Sequence, residues 1–327
     1  MKKIAIIGTG LAGLTLAKHL QPYAKVTLFE KARGVGGRLA TRRAPLYEFD
    51  HGAQYFTVRD AGFQLLVDEL IAAKVVERWE VTFAELTDDS PARMSRWHTN
   101  PTHYVGVPSM NSIAVYLAAP FDVKLKTCIS RIERVESAWT LFSDQQEDLG
   151  SFDWVICTAP VKQAEALMPS SFKHMHQLSS ITMQACYALM LGFCEPIQLP
   201  WEVALVKNSK ISWLSVNSSK PRRPQDATIV ALSSNQWADD HIEDDPAIIE
   251  ASMLDEVMHL TKLKRSRANY VALHRWRYAN AAKVKLPEPL IDVTEKLAAC
   301  GDWCISGRLE SSFLAATKLA IAIKNNL

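Results

Sequence analysis

Six of the chain's 13 glycines fall within its first 37 residues, at Gly8, Gly10, Gly13, Gly34, Gly36 and Gly37. Glycine costs chain entropy, so such clustering implies backbone that must turn tightly or approach something closely. The first group, Ile4-Ala5-Ile6-Ile7-Gly8-Thr9-Gly10-Leu11-Ala12-Gly13, begins as a short apolar run, and Leu14 to Leu20 follows with helical apolar spacing. Strand, tight turn and helix N-terminus in that order make a pyrophosphate cradle, because free N–H groups and the helix dipole favour anionic oxygens. Lys25 to Glu30 reads as a second parallel strand. Glu30 ends it 17 residues after Gly13, where a carboxylate can accept hydrogen bonds from both ribose hydroxyls. Taken alone, the G-x-G-x-x-G also reads as ordinary strand-turn-helix punctuation. The second group, Arg33-Gly34-Val35-Gly36-Gly37-Arg38, has no obvious use in a plain nicotinamide dehydrogenase. It suits a longer dinucleotide whose diphosphate is gripped from two sides.

Composition narrows the class. A chain of 327 residues holds two packed domains or one large one. Its 48% hydrophobic and 22% charged residues exclude disorder, collagen-like repeats and coiled coil. A net charge of +2 argues against dedicated nucleic-acid binding. No apolar run reaches the roughly 18 residues of a membrane span. Met1-Lys2-Lys3 and the apolar residues after it resemble a secretion signal, but the glycines fit a nucleotide loop better and no small-residue cleavage site follows. Six cysteines without a Cys-x-x-Cys pair suggest reduced thiols in the cytoplasm. No H-x-x-x-H or paired-cysteine arrangement points to a metal, and no Gly-x-Ser-x-Gly elbow points to acyl transfer.

With its two glycine groups and Glu30, the chain resembles the flavin amine oxidase superfamily, whose members carry G-x-G-x-x-G, an acidic strand end and then G-G-R. Further matching segments are Tyr47-Glu48-Phe49-Asp50-His51-Gly52-Ala53-Gln54-Tyr55-Phe56, Tyr104 to Asn111, Phe152 to Pro160, and Gly301-Asp302. The resemblance implies an α/β protein with a discontinuous Rossmann-like FAD-binding domain over 1–60, 104–160 and 295–327. A substrate domain built on a mainly antiparallel sheet plus helices then takes 61–103 and 161–294.

The resemblance also implies non-covalent FAD, held by Gly8, Gly10, Leu11, Ala12, Gly13, Glu30, Lys31, Gly37, Arg38, Gln54, Tyr55, Ile132, Asp302, Leu309 and Ser312. In that assignment Gln54 and Tyr55 offer hydrogen bonds at the rim of the flavin ring, and the backbone of Ile132 meets the adenine. Asp302 binds a ribityl hydroxyl or a phosphate oxygen, and the helix opened by Arg308-Leu309-Glu310-Ser311-Ser312 faces the flavin. Related proteins often have Glu-Gly-Ala where this chain has Glu310-Ser311-Ser312.

In the middle of the chain, residues 184–194, 201–206, 211–217, 227–234 and 270–277 read as strands of one antiparallel sheet. Asp245-Pro246 marks the start of a helix running to about Leu263. Lys262, Lys264, Arg265 and Arg267 read as its solvated end. Substrate candidates are Thr57, Arg59, Arg96, Trp97, His98, Gln184, Trp276 and Arg308. Arg96-Trp97-His98 unites a phosphate-binding group, a stacking face and a hydrogen-bonding ring. The same three residues also read as a strand buried on one side, and Trp276 with Tyr278 reads equally as an aromatic wall or as core. No side chain stands out as catalytic.

Within the superfamily, the chain looks most like the bacterial renalase-type flavoproteins. That implies oxidation of 2- and 6-dihydro isomers of NAD(P)H to NAD(P)+ by hydride transfer to flavin N5, with oxygen reduced to hydrogen peroxide. An amine oxidase or desaturase, and a non-catalytic flavin-binding protein, remain open alternatives. Neither the oligomeric state nor the choice between NAD and NADP follows from the residues.

Overall fold

The architecture is seen in a computed structural model, which describes residues 1–87, 90–97, 101–281, 286 and 288–327. The chain forms two compact units, Met1–Gly37 with Ala114–Met183 and Ala281–Leu327, and Arg38–Ile113 with Gln184–Asn280. The fold is α/β, as the resemblance implies.

The first unit is built on a six-stranded sheet ordered Leu290–Asp292, Leu297–Ala299, Trp154–Cys157, Lys2–Ile7, Ala24–Phe29, Val123–Lys124. All neighbours run parallel except Leu290–Asp292 with Leu297–Ala299. Strands covered on both faces need continuous apolar runs, and Ile4, Ala5, Ile6, Val155 and Ile156 are each fully buried. Helix Leu11–Leu20 leaves the first strand, and the C-terminal helix Leu309–Lys324 packs along it. Ile129–Val135 forms a hairpin with Ala138–Ser143.

The second unit carries a seven-stranded sheet ordered Ala268–Ala281, Met183–Phe193, Ala227–Ser233, Ile211–Val216, Val203–Lys207, Thr82–Thr87, Ser90–Arg96. The five expected strands are neighbours in it. They are joined by two strands from 82–96, where the otherwise mainly antiparallel sheet gains a parallel pair, Val203–Lys207 with Thr82–Thr87. A parallel pair needs a long crossover rather than a hairpin, so local turn signals do not reveal it. Helix Pro246–Thr261 starts where Asp245 accepts from Ala247 N–H, and it ends at Lys262 with φ +59°. Ile249, Met253, Leu254, Val257 and Leu260 on this helix are buried with Leu189, Leu191, Ile229 and Ala231 of the sheet.

Residues 38–60, expected with the nucleotide-binding part, lie in the second unit. The short pair Thr41–Arg43 and Glu48–Asp50 is tied there by Asn217, which donates to the Glu48 carbonyl at 3.0 Å. Residues 161–183, expected with the substrate part, lie in the first unit, where His174 meets the Ile291 carbonyl at 3.0 Å. All six cysteines are free thiols. Among the described residues no helix is long and apolar enough to cross a membrane.

Candidate active site

In the first unit the glycines are required for two different reasons. A Cβ on Gly13 would stand 2.1 Å from the Gly8 carbonyl oxygen. Gly8 itself has φ +105°, and a Cβ there would meet Thr158 Oγ1 at 2.7 Å. Those two residues let the turn close on itself. At Gly10 an added Cβ would meet nothing within 4 Å, so the backbone there faces open space. Gly10 is also the N-cap of helix Leu11–Leu20, and no side chain caps that end. An open turn in front of uncapped N–H groups at the positive end of a helix dipole suits a diphosphate. The second glycine group packs on this turn. Gly36 N–H donates to the Thr9 carbonyl at 3.0 Å, and Gly37, at φ +53°, lies close over Gly10.

Glu30 sits beside the same turn, buried at the end of the second strand. Its carboxylate accepts from Thr9 N–H at 3.1 Å, Thr9 Oγ1 at 2.6 Å and Ala32 N–H at 2.9 Å. An ionised carboxylate has about four lone-pair positions, so it retains capacity for a ribose hydroxyl. Leu11 and Ala12 form the buried first turn of the helix. Lys31 is turned to Gln163, to which it donates at 3.0 Å. Ile132 is buried in the hairpin opposite Leu141. Asp302 is buried, and its carbonyl accepts from Ile305 and Ser306 N–H groups. Arg308 is the exposed N-cap of the C-terminal helix, whose first turn holds Leu309 and Ser312. Ser311 is buried with its hydroxyl 2.9 Å from Ser306 Oγ.

The second unit collects a different set. Arg38 donates to the Ala279 carbonyl at 2.8 Å, and its own carbonyl accepts from Ala53 N–H at 2.9 Å. Gly52 is held so closely that a Cβ would stand 2.1 Å from that same carbonyl oxygen. Below this turn lies a buried ionic knot. Asp50 accepts from Thr41 Oγ1 (2.7 Å) and Met110 N–H (3.0 Å) on one oxygen, and from Lys220 Nζ (3.2 Å) and Arg223 Nη2 (2.6 Å) on the other. Burial alone would raise the Asp50 pKa, but the two cations and their hydrogen bonds bring it down to about 2. Burial pulls the Lys220 ammonium down to about 8, against the attraction of Asp50.

Gln54 belongs to this knot. Its amide nitrogen donates to the carbonyls of Asp50 (2.6 Å) and Gly52 (3.0 Å), and its oxygen accepts from Ser215 Oγ (2.9 Å) and Lys220 Nζ (3.2 Å). Both N–H groups and both lone pairs are thus taken up within the unit. Through these four bonds Gln54 ties the turn to Ser215 and Lys220.

Two aromatic groups flank the segment. Tyr55 and Trp97 meet at 4.9 Å, joined by His103, stacked 3.7 Å from Trp97, and by Trp213, 5.5 Å from Tyr55. His51 stacks on Trp276 at 5.3 Å and meets His274 edge-on at 4.7 Å, while Trp276 Nε1–H donates to the His51 carbonyl at 2.8 Å. Burial, and then His274, lowers the His51 pKa to about 4. Burial also lowers those of His103 and His274, which favours the neutral form of all three rings. The structure therefore brings Tyr55 together with Trp97, and Trp276 with His51. Arg59 and Arg96 are exposed, the latter on an edge strand, and Thr57 and Gln184 are half-buried. His98 lies outside the described residues.

Sequence reasoning missed Lys220, Arg223, His103, Trp213 and His274. Lys220-Pro221-Arg222-Arg223-Pro224 reads as a surface loop, and only the buried Asp50 explains why two of its cations point inward.

The NAD(P)-binding Rossmann-like domain family matches residues 6–70, and the flavin containing amine oxidoreductase family matches residues 99–294. Among solved structures, the chain is similar to a provisionally named protoporphyrinogen oxidase from Exiguobacterium sp. 255-15, with TM-score 0.78 and 13% identity over 100% of this chain and 99% of that one. Wild-type putrescine oxidase bound to putrescine gives TM-score 0.74 and 12% identity over 98% of each chain. Cyclohexylamine oxidase from Brevibacterium oxydans IH-35A gives 0.73 and 14% over 99% of each. At such identities these likenesses are of fold. The family match spans more than half of the chain, and the glycine turns, the uncapped helix end and Glu30 fit FAD as its cofactor. This chain is a flavoprotein oxidoreductase that belongs to the flavin containing amine oxidoreductase family.

Proposed function

We propose that the protein is a renalase-type oxidase, which oxidises 2- and 6-dihydro isomers of NAD(P)H to NAD(P)+ and yields hydrogen peroxide. The observation that carries this reading is the pair of aromatic groups with neutral imidazoles, Tyr55-Trp97-His103-Trp213 and His51-His274-Trp276. Flat aromatic faces can stack on a dihydropyridine ring. Asp50, the carboxylate of the same segment, is occupied by Lys220 and Arg223 and leaves no charge to pair with an amine.

Bound FAD supplies a two-electron acceptor that oxygen can regenerate. The chain's own part is to bind and orient the dinucleotide, because losing a hydride restores the aromatic pyridine and requires no general base. We further propose that FAD is held without a covalent bond. Burial raises the thiol of Cys300 well above its usual range and that of Cys304 to about 12, which leaves both unreactive.

Anaerobic mixing of the yellow protein with 6-dihydro-NAD should bleach the flavin rapidly, with ordinary 4-dihydro NADH slow. Re-aeration should then release peroxide. Bleaching by putrescine or cyclohexylamine, with the dihydropyridine isomers inert, would replace this reading by an amine oxidase. Yellow protein inert to every reductant would mean a non-catalytic flavoprotein.

A further inference from the structure

The turn from Asp50 to Gln54 is closed from within by Gln54 Nε2–H on the Asp50 carbonyl, and one ammonium group bridges its two ends from outside. Lys220 Nζ donates to the Asp50 carboxylate at one end and to the Gln54 amide oxygen at the other, 3.2 Å each, and its third side lies over the Trp79 ring at 5.3 Å. Asp50 does not need Lys220 for neutralisation, because Arg223 already meets the same oxygen through Nη2 at 2.6 Å and Nε at 3.2 Å. With one carboxylate and two cations, the knot carries an excess positive charge in a fully buried place. Removing an ammonium from water is costly, and an apolar side chain of similar volume is often as stable or more so. What Lys220 adds beyond Arg223 is the bridge to Gln54.

That bridge has a consequence for the cofactor. The turn it bridges presents Ala53 N–H to the Arg38 carbonyl at 2.9 Å and packs Gly52 against the same peptide. Arg38 directly follows Gly36 and Gly37, the pair that lies on Thr9 and Gly10 of the diphosphate turn. We infer that Lys220 is a positioning residue for flavin binding, acting through Gln54 to fix the turn that holds the Arg38 peptide in place. The inference rests on the FAD assignment and is independent of which substrate the enzyme takes.

The test is a double-mutant cycle on the full chain, with FAD stripped and titrated back by flavin fluorescence quenching. Lys220→Met should raise the FAD dissociation constant on the order of tenfold, the loss of one charge-assisted hydrogen bond. It should also change the visible circular dichroism of the bound flavin. Its FAD-free form should melt no lower than the wild type. Gln54→Leu, which leaves Asp50 paired with both cations, should weaken FAD at least as much, and Lys220→Met should add nothing on top of it. Independent, multiplying effects would overturn the inference, as would unchanged FAD affinity in Lys220→Met. A melting temperature that falls in parallel with FAD affinity would also overturn it, because that is the mark of a purely structural lysine. Should Lys220→Met not fold, Gln54→Leu alone decides: unchanged FAD affinity there sinks the proposal.

Discussion

The glycine turn of the first unit and the ionic knot of the second both fix backbone, by opposite means. The turn works by omission, since Gly8 and Gly13 are tight because no side chain is present, and Gly10 stays open for the same reason. The knot works by saturation, with every lone pair and proton of the Asp50 and Gln54 side chains engaged. The glycines of the turn itself run only from Gly8 to Gly13. The knot's two cations lie 166 to 173 positions from the Gln54 and Asp50 groups they meet. Omission leaves a trace in sequence; saturation is visible only after folding.

The largest effect should come from breaking the knot at its anion. Asp50→Ala leaves Lys220 and Arg223 buried without a counter-charge, which should cost about 3–5 kcal/mol. Urea unfolding should read this as a lower midpoint with little change in slope. The turn offers the matching break. Gly13→Ala drives a Cβ to 2.1 Å from a carbonyl oxygen and should destabilise the chain by roughly 1–3 kcal/mol or more. Gly10→Ala has open space and should leave folding intact while weakening FAD. Equal folding stability of the two alanine variants would show that the glycines do not divide in this way.

The knot also titrates, which sharpens the contrast. Lys220 is held at about 8 when folded, from 10.5 when free. Between those values the unfolded chain binds more protons than the folded one, so stability should rise with pH from about 8 to 10.5. The slope contributed by one group is at most about 1.4 kcal/mol per pH unit. Asp50 gives the acid counterpart. Its folded value of about 2 lies below 3.8, so its contribution is complete above 3.8 and is lost as pH falls through 2. The rise at alkaline pH should vanish in Lys220→Met, and a wild type that shows no rise would mean that Lys220 keeps an ordinary pKa.

Glu30 should give a smaller effect, confined to the first unit. Its removal takes away hydrogen bonds to Thr9 and Ala32 as well as those expected from the ribose. Glu30→Ala should cost roughly 1.5–3 kcal/mol of FAD binding, about one to two orders of magnitude in affinity. Full FAD retention on dialysis would reduce Glu30 to a cap on the glycine turn.

What was legible in the sequence follows the same division. The first strand-turn-helix, the glycine turns, Glu30 and the Asp245-Pro246 helix start each arise from constraints between near neighbours, so their residue types announce them. Tyr55, Trp97 and Trp276 were recognisable as aromatic candidates, but not their company, because His103, Trp213 and His274 join them only through the tertiary fold. Gln54 was legible as a candidate, but not its partners Ser215 and Lys220, which come from a distant strand and loop. The parallel join between Val203–Lys207 and Thr82–Thr87 was hidden for the same reason.

Arg96 should give the smallest effect, and it tests where the second unit's aromatic group ends. The side chain is exposed on the edge strand Ser90–Arg96, while the next residue, Trp97, turns in to stack on His103. If the dinucleotide's ring is held by the aromatic group and its phosphates trail outward, Arg96 meets them only in water, where a charge pair is worth at most about 1 kcal/mol. Arg96→Ala should therefore raise the 6-dihydro-NAD concentration for half-maximal anaerobic bleaching by no more than about fivefold, with the limiting rate unchanged. The difference from wild type should shrink as salt is added, because exposed charges are screened over about 8 Å at physiological ionic strength. Trp97→Ala removes a stacking face rather than a charge, so its larger effect should be insensitive to salt. Similar, salt-sensitive losses in both variants would mean that the strand end binds substrate by charge alone and that the aromatic group is only packing.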